Sequence, residues 1–162
     1  MQYESTYLAH HGILGMKWGV RRYQNPDGTL TEKGKKRYSE VSKIGDDAYL
    51  LLRKNGKGMR TYDMRKDNKK IGMSLVDEYD AEHDQIDWIG VKDKYQGRGY
   101  GQAALAKIID DSVKRGKKYI TLDAAGMDPK AAHIYEKQGF KAVSEWQDDP
   151  FWDGLLPMRK DL

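Results

Sequence analysis

The 162-residue chain contains no cysteine. That absence excludes disulfide bonds, thiolate metal sites and a cysteine nucleophile. Long apolar runs are also missing: nowhere do about 18 apolar residues follow one another, as a membrane-spanning helix requires. The first twelve residues, MQYESTYLAHHG, lack the basic and then apolar layout of a signal peptide. We therefore expect a cytoplasmic protein with no membrane partner.

Positive charge is in small excess, because 29 basic and 25 acidic residues give a formal net charge of +4. This balance permits anionic partners without requiring them. Metal-ligand patterns are scarce as well. The histidines do not form a set with carboxylates at ligand spacing, and the adjacent His10 and His11 would point in opposite directions on a strand. The sequence predicts no metal site at the four histidines, His10, His11, His83 and His133.

Two parts of unequal length are indicated by the change in pattern along the chain. Residues 1–38 are rich in aromatic and basic residues and show no sustained period of two or 3.6. Within them, NPDG predicts a turn, and Thr29 followed by Glu32 predicts the cap of a short basic helix. A seam follows, and residues 46–162 are expected to form the main domain.

The main domain shows short strands joined by turns, and later a helical period. The first four strands are separated by KNGKG, RKDNKK and DEYDAEH, which are turn sequences, so an antiparallel meander is expected. Asp128 is placed to cap the second helix, which closes at Gly139. The predicted order is strands at 48–53, 59–64, 70–76 and 85–91, a helix at 101–115, a strand at 119–124, the second helix, and strands at 140–146 and 155–160.

A glycine-rich stretch, YQGRGYGQ at residues 95–102, lies between the meander and the first long helix. This arrangement presents free backbone N–H groups at a helix N-terminus to an anion. A Walker-type loop is excluded because no Gly-Lys-Ser or Gly-Lys-Thr follows. Gly99, Gly101 and Ala104 satisfy a relaxed dinucleotide fingerprint, with Asp123 placed to meet a ribose. However, four hairpin strands before the loop and one crossover after it argue against a dinucleotide-binding oxidoreductase.

The spacing of Gln96, Gly99 and Gly101 points to another phosphate ligand. YQGRGYGQAAL resembles the acyl-CoA pyrophosphate loop of the GNAT family of N-acetyltransferases, whose pattern is Arg or Gln, two residues, Gly, one residue, Gly or Ala. DPKAAHIYEKQGF, residues 128–140, resembles the family's later helix, which carries a tyrosine and ends in Gly-Phe. The resemblance implies an α/β fold with a mixed central sheet, an antiparallel N-terminal meander and one parallel crossover, the acyl-CoA N-acyltransferase fold.

Acetyl-CoA (coenzyme A) is the cofactor that this resemblance implies. Consecutive N–H groups in the glycine loop can wrap a pyrophosphate, and the helix dipole favours its charge. In the family, the strand before the loop splays from the next parallel strand and leaves a slot for the pantetheine arm. The residues expected to bind the cofactor are Ile89, Val91, Gln96, Gly97, Arg98, Gly99, Tyr100, Gly101, Asp128 and Tyr135.

The chemistry requires a neutral amine, a stabilised oxyanion and a protonated leaving thiolate. Tyr135 matches the family tyrosine that faces the sulfur and is the candidate general acid; the alternative is a core tyrosine on an amphipathic helix. Asp87 and Glu82 are the nearest acids to the expected acceptor side, and either could instead be solvated, with a water chain taking the proton. The oxyanion would be met by a backbone N–H around Gly90 and Val91.

One departure from the family concerns the acceptor side. Family members have two helices between the first and second strands, whereas RKNGKGMR leaves room only for a tight turn. We therefore expect a shortened first helical region and an acceptor site that is reduced or built differently.

Residues 1–38 lie outside the acetyltransferase pattern. Their aromatics interleaved with bases could stack on a nucleic acid, anchor in a protein groove or form a solvated basic tail. The segment resembles a short module attached to structural and head-associated proteins of tailed bacteriophages and prophages. That resemblance implies docking onto a phage structural protein and association with a virion.

The leading hypothesis from the sequence is an N-acetyltransferase that acts on a primary amine of a small molecule or protein through a ternary complex. The alternative is an acyl-CoA-binding or catalytically reduced module of the same fold, which serves phage assembly through its N-terminal segment.

Overall fold

The computed structural model describes residues 22–54, 57–67, 69–126 and 129–162. Within these ranges the chain forms one eight-stranded sheet and three α-helices. In chain order the elements are α1 (Glu32–Arg37), β1 (Tyr38–Ile44), β2 (Ala48–Arg53), β3 (Met59–Lys66), β4 (Lys69–Asp77), β5 (His83–Val91), α2 (Tyr100–Lys114), β6 (Tyr119–Ala125), α3 (Pro129–Lys137), β7 (Lys141–Ala142) and β8 (Leu155–Asp161).

The strand order across the sheet is β1-β2-β3-β4-β5-β6-β8-β7. Strands β1 to β5 form an antiparallel meander, and only β5 and β6 are parallel, joined by the crossover through α2. This confirms the expected mixed α/β sheet with one parallel crossover. The shortened first helical region is confirmed as well, because β2 ends at Arg53 and β3 begins at Met59.

Strand β5 contains an irregularity that shapes the surrounding space. On β4, Val76 pairs with Ile86 and Leu75 pairs with Trp88, which leaves Asp87 as the extra residue of a β-bulge. The two residues at a bulge share one side of the sheet, so the alternation of side chains is reversed after it. Before the bulge Ile86 is buried, and after it Ile89 packs against the core.

The parallel pair β5–β6 is paired over only part of its length. The register runs from His83 opposite Tyr119 to Ile86 opposite Leu122, while both strands continue beyond that point. Backbone groups of β5 beyond Ile86 that point toward β6 therefore have no strand partner. Strands β5 and β6 therefore separate beyond Ile86 and Leu122, which is the splay expected next to the glycine loop.

Helix α2 is held against the sheet at both ends. Ala104, Leu105 and Ile108 are buried in the core beneath it. At its C-terminal end, Ser112 donates a hydrogen bond to Asp84 of β5 at 2.6 Å, and the Arg115 guanidinium forms an ion pair with the same carboxylate. Burial alone would raise the pKa of Asp84, but the hydrogen bonds from Arg115 and Ser112 hold it below its usual value. These contacts fix the C-terminal end of α2 relative to β5.

The structure differs from the sequence prediction in the region of the seam. Strand β1 was not predicted, yet Tyr38 is buried and donates a hydrogen bond to the buried Asp63 at 2.8 Å. The side chain of Thr31, not Thr29, caps α1 by accepting from the N–H of Gly34 at 3.1 Å. The β1 sequence, YSEVSKI, has few apolar residues among its polar and charged ones, so apolar periodicity did not predict this strand.

Residues 22–37 pack against this edge of the sheet. The rings of Tyr23 and Tyr38 meet edge to face with centroids 5.6 Å apart, and the guanidinium groups of Arg22, Arg37 and Arg65 lie over the Tyr23 ring. Gly34 packs so closely on the carbonyl of Tyr23 that an added Cβ would lie 2.0 Å from its oxygen. Part of the expected N-terminal segment is therefore joined to the sheet by buried contacts.

Near the C-terminus, the strand expected at 140–146 is reduced to the two-residue β7, whereas β8 extends the expected strand by one residue to Asp161. Residues 143–154 instead form an irregular connection that returns to the open side of the sheet. None of the helices in the described ranges is long and apolar enough to cross a membrane.

Candidate active site

A cavity of about 420 Å³ lies between β5 and the N-terminal turn of α2. We call it the first cavity. Its lining residues are Ile89, Gly90, Val91, Tyr95, Gln96, Gly97, Gly99, Tyr100, Gly101, Gln102, Leu105, Ile134 and Tyr135. One end is made of glycine backbone and the other of apolar and aromatic side chains, which suits an elongated ligand with a polar head.

The glycine loop has backbone conformations that explain its composition. Gly97 and Gly99 have φ values of 73° and 79°, in the left-handed region that other residues rarely adopt. Gly99 is also the N-cap of α2, where no side chain caps the helix. A Cβ at either glycine would meet no atom within 4 Å, so the space in front of the loop is open.

The amide groups of this loop are available to a ligand. In the described part of the chain, none of the N–H groups of residues 97–102 donates to a protein acceptor, and the first helical bond is from Ala103 to Gly99, at 2.9 Å. Unpaired N–H groups at the positive end of a 15-residue helix attract an anion. The loop therefore has the composition and geometry of a phosphate-binding cradle.

Two interactions hold the cradle in place. The Gln96 side chain donates to the Val91 carbonyl at 2.9 Å and to Asp93 at 3.1 Å, so it ties the loop to the end of β5. The buried Tyr100 ring starts α2, and its hydroxyl donates to Asp47 in the turn between β1 and β2. Gln96 and Tyr100 thus line the first cavity and also support its shape.

Of the other residues expected at the cofactor site, six line the first cavity: Ile89, Val91, Gly97, Gly99, Gly101 and Tyr135. Arg98 is exposed at its rim and does not line it, lying 6.0 Å from the centroid of the Tyr95 ring. Asp128 lies outside the described residues, as do His10 and His11.

A second cavity, of about 460 Å³, opens on the other side of the splay. Its lining residues are Ile86, Asp87, Trp88, Ile89, Leu122, Asp123, Ala125, Gly126, Ala131, Tyr135, Trp152 and Leu155. Both residues at the β5 bulge, Asp87 and Trp88, line this cavity. The bulge therefore directs an acid and an aromatic ring to the same side.

Tyr135 and Ile89 line both cavities. The Tyr135 ring packs against the core and meets the buried Phe140 edge to face, with centroids 6.2 Å apart. Burial raises the pKa of Tyr135. Its hydroxyl therefore keeps its proton at pH values at which an ordinary tyrosine would lose it. A protonated phenol at the junction of two cavities is suited to donate a proton.

The two candidate bases have different surroundings. Asp87 lines the second cavity, and partial burial, together with the charges of Asp77 and Asp123, raises its pKa. Glu82 lines neither cavity; it precedes the opposite end of β5 and pairs with Lys118. The structure therefore brings Asp87, and not Glu82, to the candidate site.

The described histidines are engaged elsewhere. His83 stacks on Tyr119 with ring centroids 4.5 Å apart, and its Nε2 lies 2.6 Å from the Thr121 hydroxyl oxygen. His133 is exposed, 3.4 Å from Glu136. Among residues 22–54, 57–67, 69–126 and 129–162, no group of three His, Asp or Glu residues has the arrangement of a metal site.

Sequence reasoning missed three features of the second cavity: Trp88, Trp152 and the use of Asp123 there. The two tryptophan rings lie with centroids 6.1 Å apart at 45°, although 64 positions separate them along the chain. Only the pairing of β6 with β8 brings the C-terminal segment to this place. The exposed aromatics of the segment DPFWDG, Phe151 and Trp152, were the available signal, because apolar residues in an irregular stretch indicate a binding surface.

Comparisons with known proteins were consistent with this geometry. A model of the acetyltransferase (GNAT) family matches residues 23–140, and a model of a family of unknown function (DUF7211) matches residues 3–25. No curated protein matches the chain significantly.

Solved structures resemble the fold at low sequence identity. A GNAT family acetyltransferase from Elizabethkingia anophelis with acetyl-CoA bound has a TM-score of 0.63 at 16% identity, covering 72% of this chain and 99% of that one. A Bacillus subtilis acetyltransferase in complex with CoA has a TM-score of 0.56 at 17% identity, with coverages of 65% and 78%. A spermidine N-acetyltransferase from Vibrio cholerae in complex with CoA and spermine has a TM-score of 0.56 at 20% identity, with coverages of 65% and 66%. These similarities show the acyl-CoA N-acyltransferase fold.

Proposed function

Because this chain belongs to the acetyltransferase (GNAT) family, we propose that it is an N-acetyltransferase that transfers an acetyl group from acetyl-CoA to a primary amine. The observation that carries the proposal is the position of Tyr135, which borders both the glycine-lined cavity and the acidic cavity. A residue that faces both spaces can act on the bond that is broken between two bound molecules.

The first cavity is the proposed site of acetyl-CoA. The N–H groups of residues 97–102 would hold the pyrophosphate, and the unpaired edge of β5 beyond Ile86 would bond the amide-containing arm. Ile89 and Val91 would flank that arm, with Arg98 at the rim adding positive charge. When bound, acetyl-CoA supplies the thioester from which the acetyl group is taken. That these residues fit it is supported by the open space before Gly97 and Gly99.

Two side chains would move protons. Asp87 would accept a proton from the incoming ammonium group, since an amine attacks only when its nitrogen is neutral. Tyr135 would donate its proton to the sulfur as the carbon–sulfur bond breaks and the carbon–nitrogen bond forms. A backbone N–H at the end of β5, near Gly90 and Val91, would stabilise the negative charge on the carbonyl oxygen.

The test has a binding arm and a turnover arm. CoA, but not NAD, should raise the melting temperature, because binding to the folded state alone stabilises it. Release of CoA from acetyl-CoA should then depend on added amine. A shift with NAD alone would favour a dinucleotide enzyme, and a CoA shift without turnover on any amine or protein N-terminus would favour the non-catalytic module of the same fold.

The domain division is also a proposal. Two family matches meet at residues 23–25, and residues 22–37 pack on the sheet, so we propose that the acetyltransferase domain begins near residue 22 rather than at residue 46. Removal of residues 1–21 should preserve CoA binding, whereas removal of residues 1–38 should lower stability because buried Tyr38 is lost. The matched family has no stated function, so a phage, virion or nucleic-acid partner for the N-terminal segment stays a prediction.

A further inference from the structure

The second cavity has a composition that restricts the acceptor, and the following inference rests on the proposed function. Its floor is apolar, formed by side chains such as Ile86, Leu122 and Leu155, and its walls carry two tryptophans and two carboxylates. The carboxylates of Asp87 and Asp123 stand at the first positions beyond the last paired residues of β5 and β6. Both line the second cavity, and they are close enough for the charge of Asp123 to contribute to the raised pKa of Asp87.

Within the part of the chain that the structure describes, no protein cation is paired with these two acids. In the described ranges, neither Asp87 nor Asp123 forms an ion pair or a side-chain hydrogen bond. The contrast with other acids in the same sheet is clear, because Asp63 is paired with Arg53 and Lys70, and Asp84 with Arg115 and Lys117. Two unneutralised carboxylates in one cavity repel each other and attract positive charge from solvent.

The aromatic walls add a second preference. Trp88 and Trp152 are 45% and 50% exposed, with ring centroids 6.1 Å apart, so their faces remain accessible to a ligand. Indole faces attract cations and also pack against methylene groups. A zwitterionic or acidic acceptor would place a carboxylate against Asp87 or Asp123 and would be repelled.

We propose that the acceptor is an alkyl amine with two cationic groups, one that reacts beside Asp87 and one that Asp123 and the tryptophans hold. The alkyl chain between the two nitrogens lies along the apolar floor. In the reaction, the ammonium near Asp87 gives a proton to that carboxylate, and its nitrogen forms the new bond to the acetyl carbon as the bond to sulfur breaks. The nitrogen gives its second proton to water, Tyr135 gives its proton to the sulfur and regains one from water, and the product retains its other ammonium group. Asp87 then releases its proton to water, so one proton is released in each turnover.

The geometry favours a dication over a monocation for a simple reason. When a single ammonium group gives its proton to Asp87, the carboxylate of Asp123 is left without a counter-charge. A second ammonium group stays charged throughout the reaction and remains paired with Asp123. The additional ion pair is exposed and therefore modest, and a difference of about threefold to tenfold in affinity is expected. It should decrease as salt increases, because exposed charges are screened.

The experiment compares 1,4-diaminobutane with butylamine at saturating acetyl-CoA. We expect a KM for the diamine about threefold to tenfold below that for the monoamine. Asp123→Asn should remove most of this difference, because it should raise the diamine KM more than the monoamine KM. The matched control is Asp110→Asn, which removes an exposed carboxylate of α2 that does not line the second cavity. Trp152→Ala should raise the KM of both amines, because the alkyl contact is shared.

A second measurement does not depend on turnover. Calorimetric titration of the full-length protein with 1,4-diaminobutane should show binding that weakens in Asp123→Asn and at high salt, whether or not acetyl transfer occurs. Equal affinity for the two amines, or diamine affinity that is unchanged in Asp123→Asn, would overturn the dication proposal even if acetyl transfer is observed. Failure of the proposed function has a different signature, which is the absence of a CoA shift and of turnover with every amine.

Discussion

The two cavities that meet at Tyr135 are built from different parts of the polypeptide. The first is formed mainly by consecutive residues of one loop and helix, and its polar groups are backbone amides. The second collects side chains from β5, β6, α3 and the segment before β8. The shape of the first cavity therefore depends on main-chain geometry at a few glycines. The composition of the second cavity depends on side chains that the sheet brings together.

The β5 bulge contributes different residues to the two cavities. Without the extra residue at Asp87, the alternation would place Ile89 and Val91 on the side away from α2. The bulge therefore supplies both cavities: apolar residues to one, and Asp87 with Trp88 to the other. Substitutions in one cavity should therefore affect one ligand and leave the other nearly unaffected.

The largest effect is expected where the cavities meet. Tyr135→Phe should lower kcat by about 10²–10⁴-fold while leaving the affinity for CoA nearly unchanged, because a general acid is lost and the ring is retained. The raised pKa of Tyr135 keeps the acid protonated, so wild-type activity should fall only when the pH rises above the ordinary range of a tyrosine. The measurement is kcat against pH.

The control for that substitution is Tyr119→Phe, which removes a hydroxyl from the paired end of β6, away from both cavities. Equal activity of Tyr135→Phe and wild type would show that Tyr135 is a packing residue, as in the alternative that the sequence left open.

On the acceptor side alone, Asp87→Asn should lower kcat/KM by about tenfold to hundredfold at neutral pH, since water can partly replace an exposed base. The carboxylate must be ionised to accept a proton, and its pKa is raised above the ordinary value of 3.8. Wild-type activity should therefore fall as the pH decreases through this raised pKa, and the variant should lose that part of the profile. A profile that is identical in both proteins would exclude Asp87 as the base.

On the cofactor side alone, Gly99→Val should weaken CoA binding by about tenfold, because the loop loses one or two amide contacts. The left-handed conformation of Gly99 also makes the substitution costly in stability, by about 2 kcal/mol. Gly116→Val is the matched control, since Gly116 has a φ of 78° and equally open surroundings at the other end of α2. Both variants should lose similar stability, but only Gly99→Val should lose CoA affinity, as calorimetry can measure.

The smallest effect on either cavity is expected at the far end of α2. Ser112→Ala removes a hydrogen bond to the buried Asp84 and should cost about 1–3 kcal/mol of unfolding free energy without changing CoA or amine affinity. Ser144→Ala, at an exposed position, should change neither the unfolding free energy nor the ligand affinities.

The pKa of Asp84 is lower in the folded state than in the unfolded state. Its contribution to stability is therefore fully present above the pKa of the unfolded state and is lost as the pH falls through the pKa of the folded state. Thermal unfolding against pH measures this.

Much of the fold could be predicted because its signals are local. Strand β2 has the predicted bounds, Ala48–Arg53, since an apolar run between turn sequences is unambiguous. Helix α2 begins and ends within one residue of the prediction, with glycines at both ends. Strand β1 was missed because its burial depends on distant partners, such as Asp63 for Tyr38, which no window of sequence contains.

The glycine loop of the first cavity could be predicted from local sequence. Gln96 and the glycines at 97, 99 and 101 are neighbours in the chain, and backbone conformation is set by residue type over a few positions. For the part of the second cavity that is not shared with the first, the sequence indicated only Asp87, and the other features depend on tertiary structure. The bulge at Asp87, the splay beyond Ile86 and the approach of Trp152 to Trp88 all arise from strand pairing between segments far apart in sequence. A long-range contact depends on the whole sheet, so local sequence could not show that Asp87, Trp88 and Trp152 line one cavity.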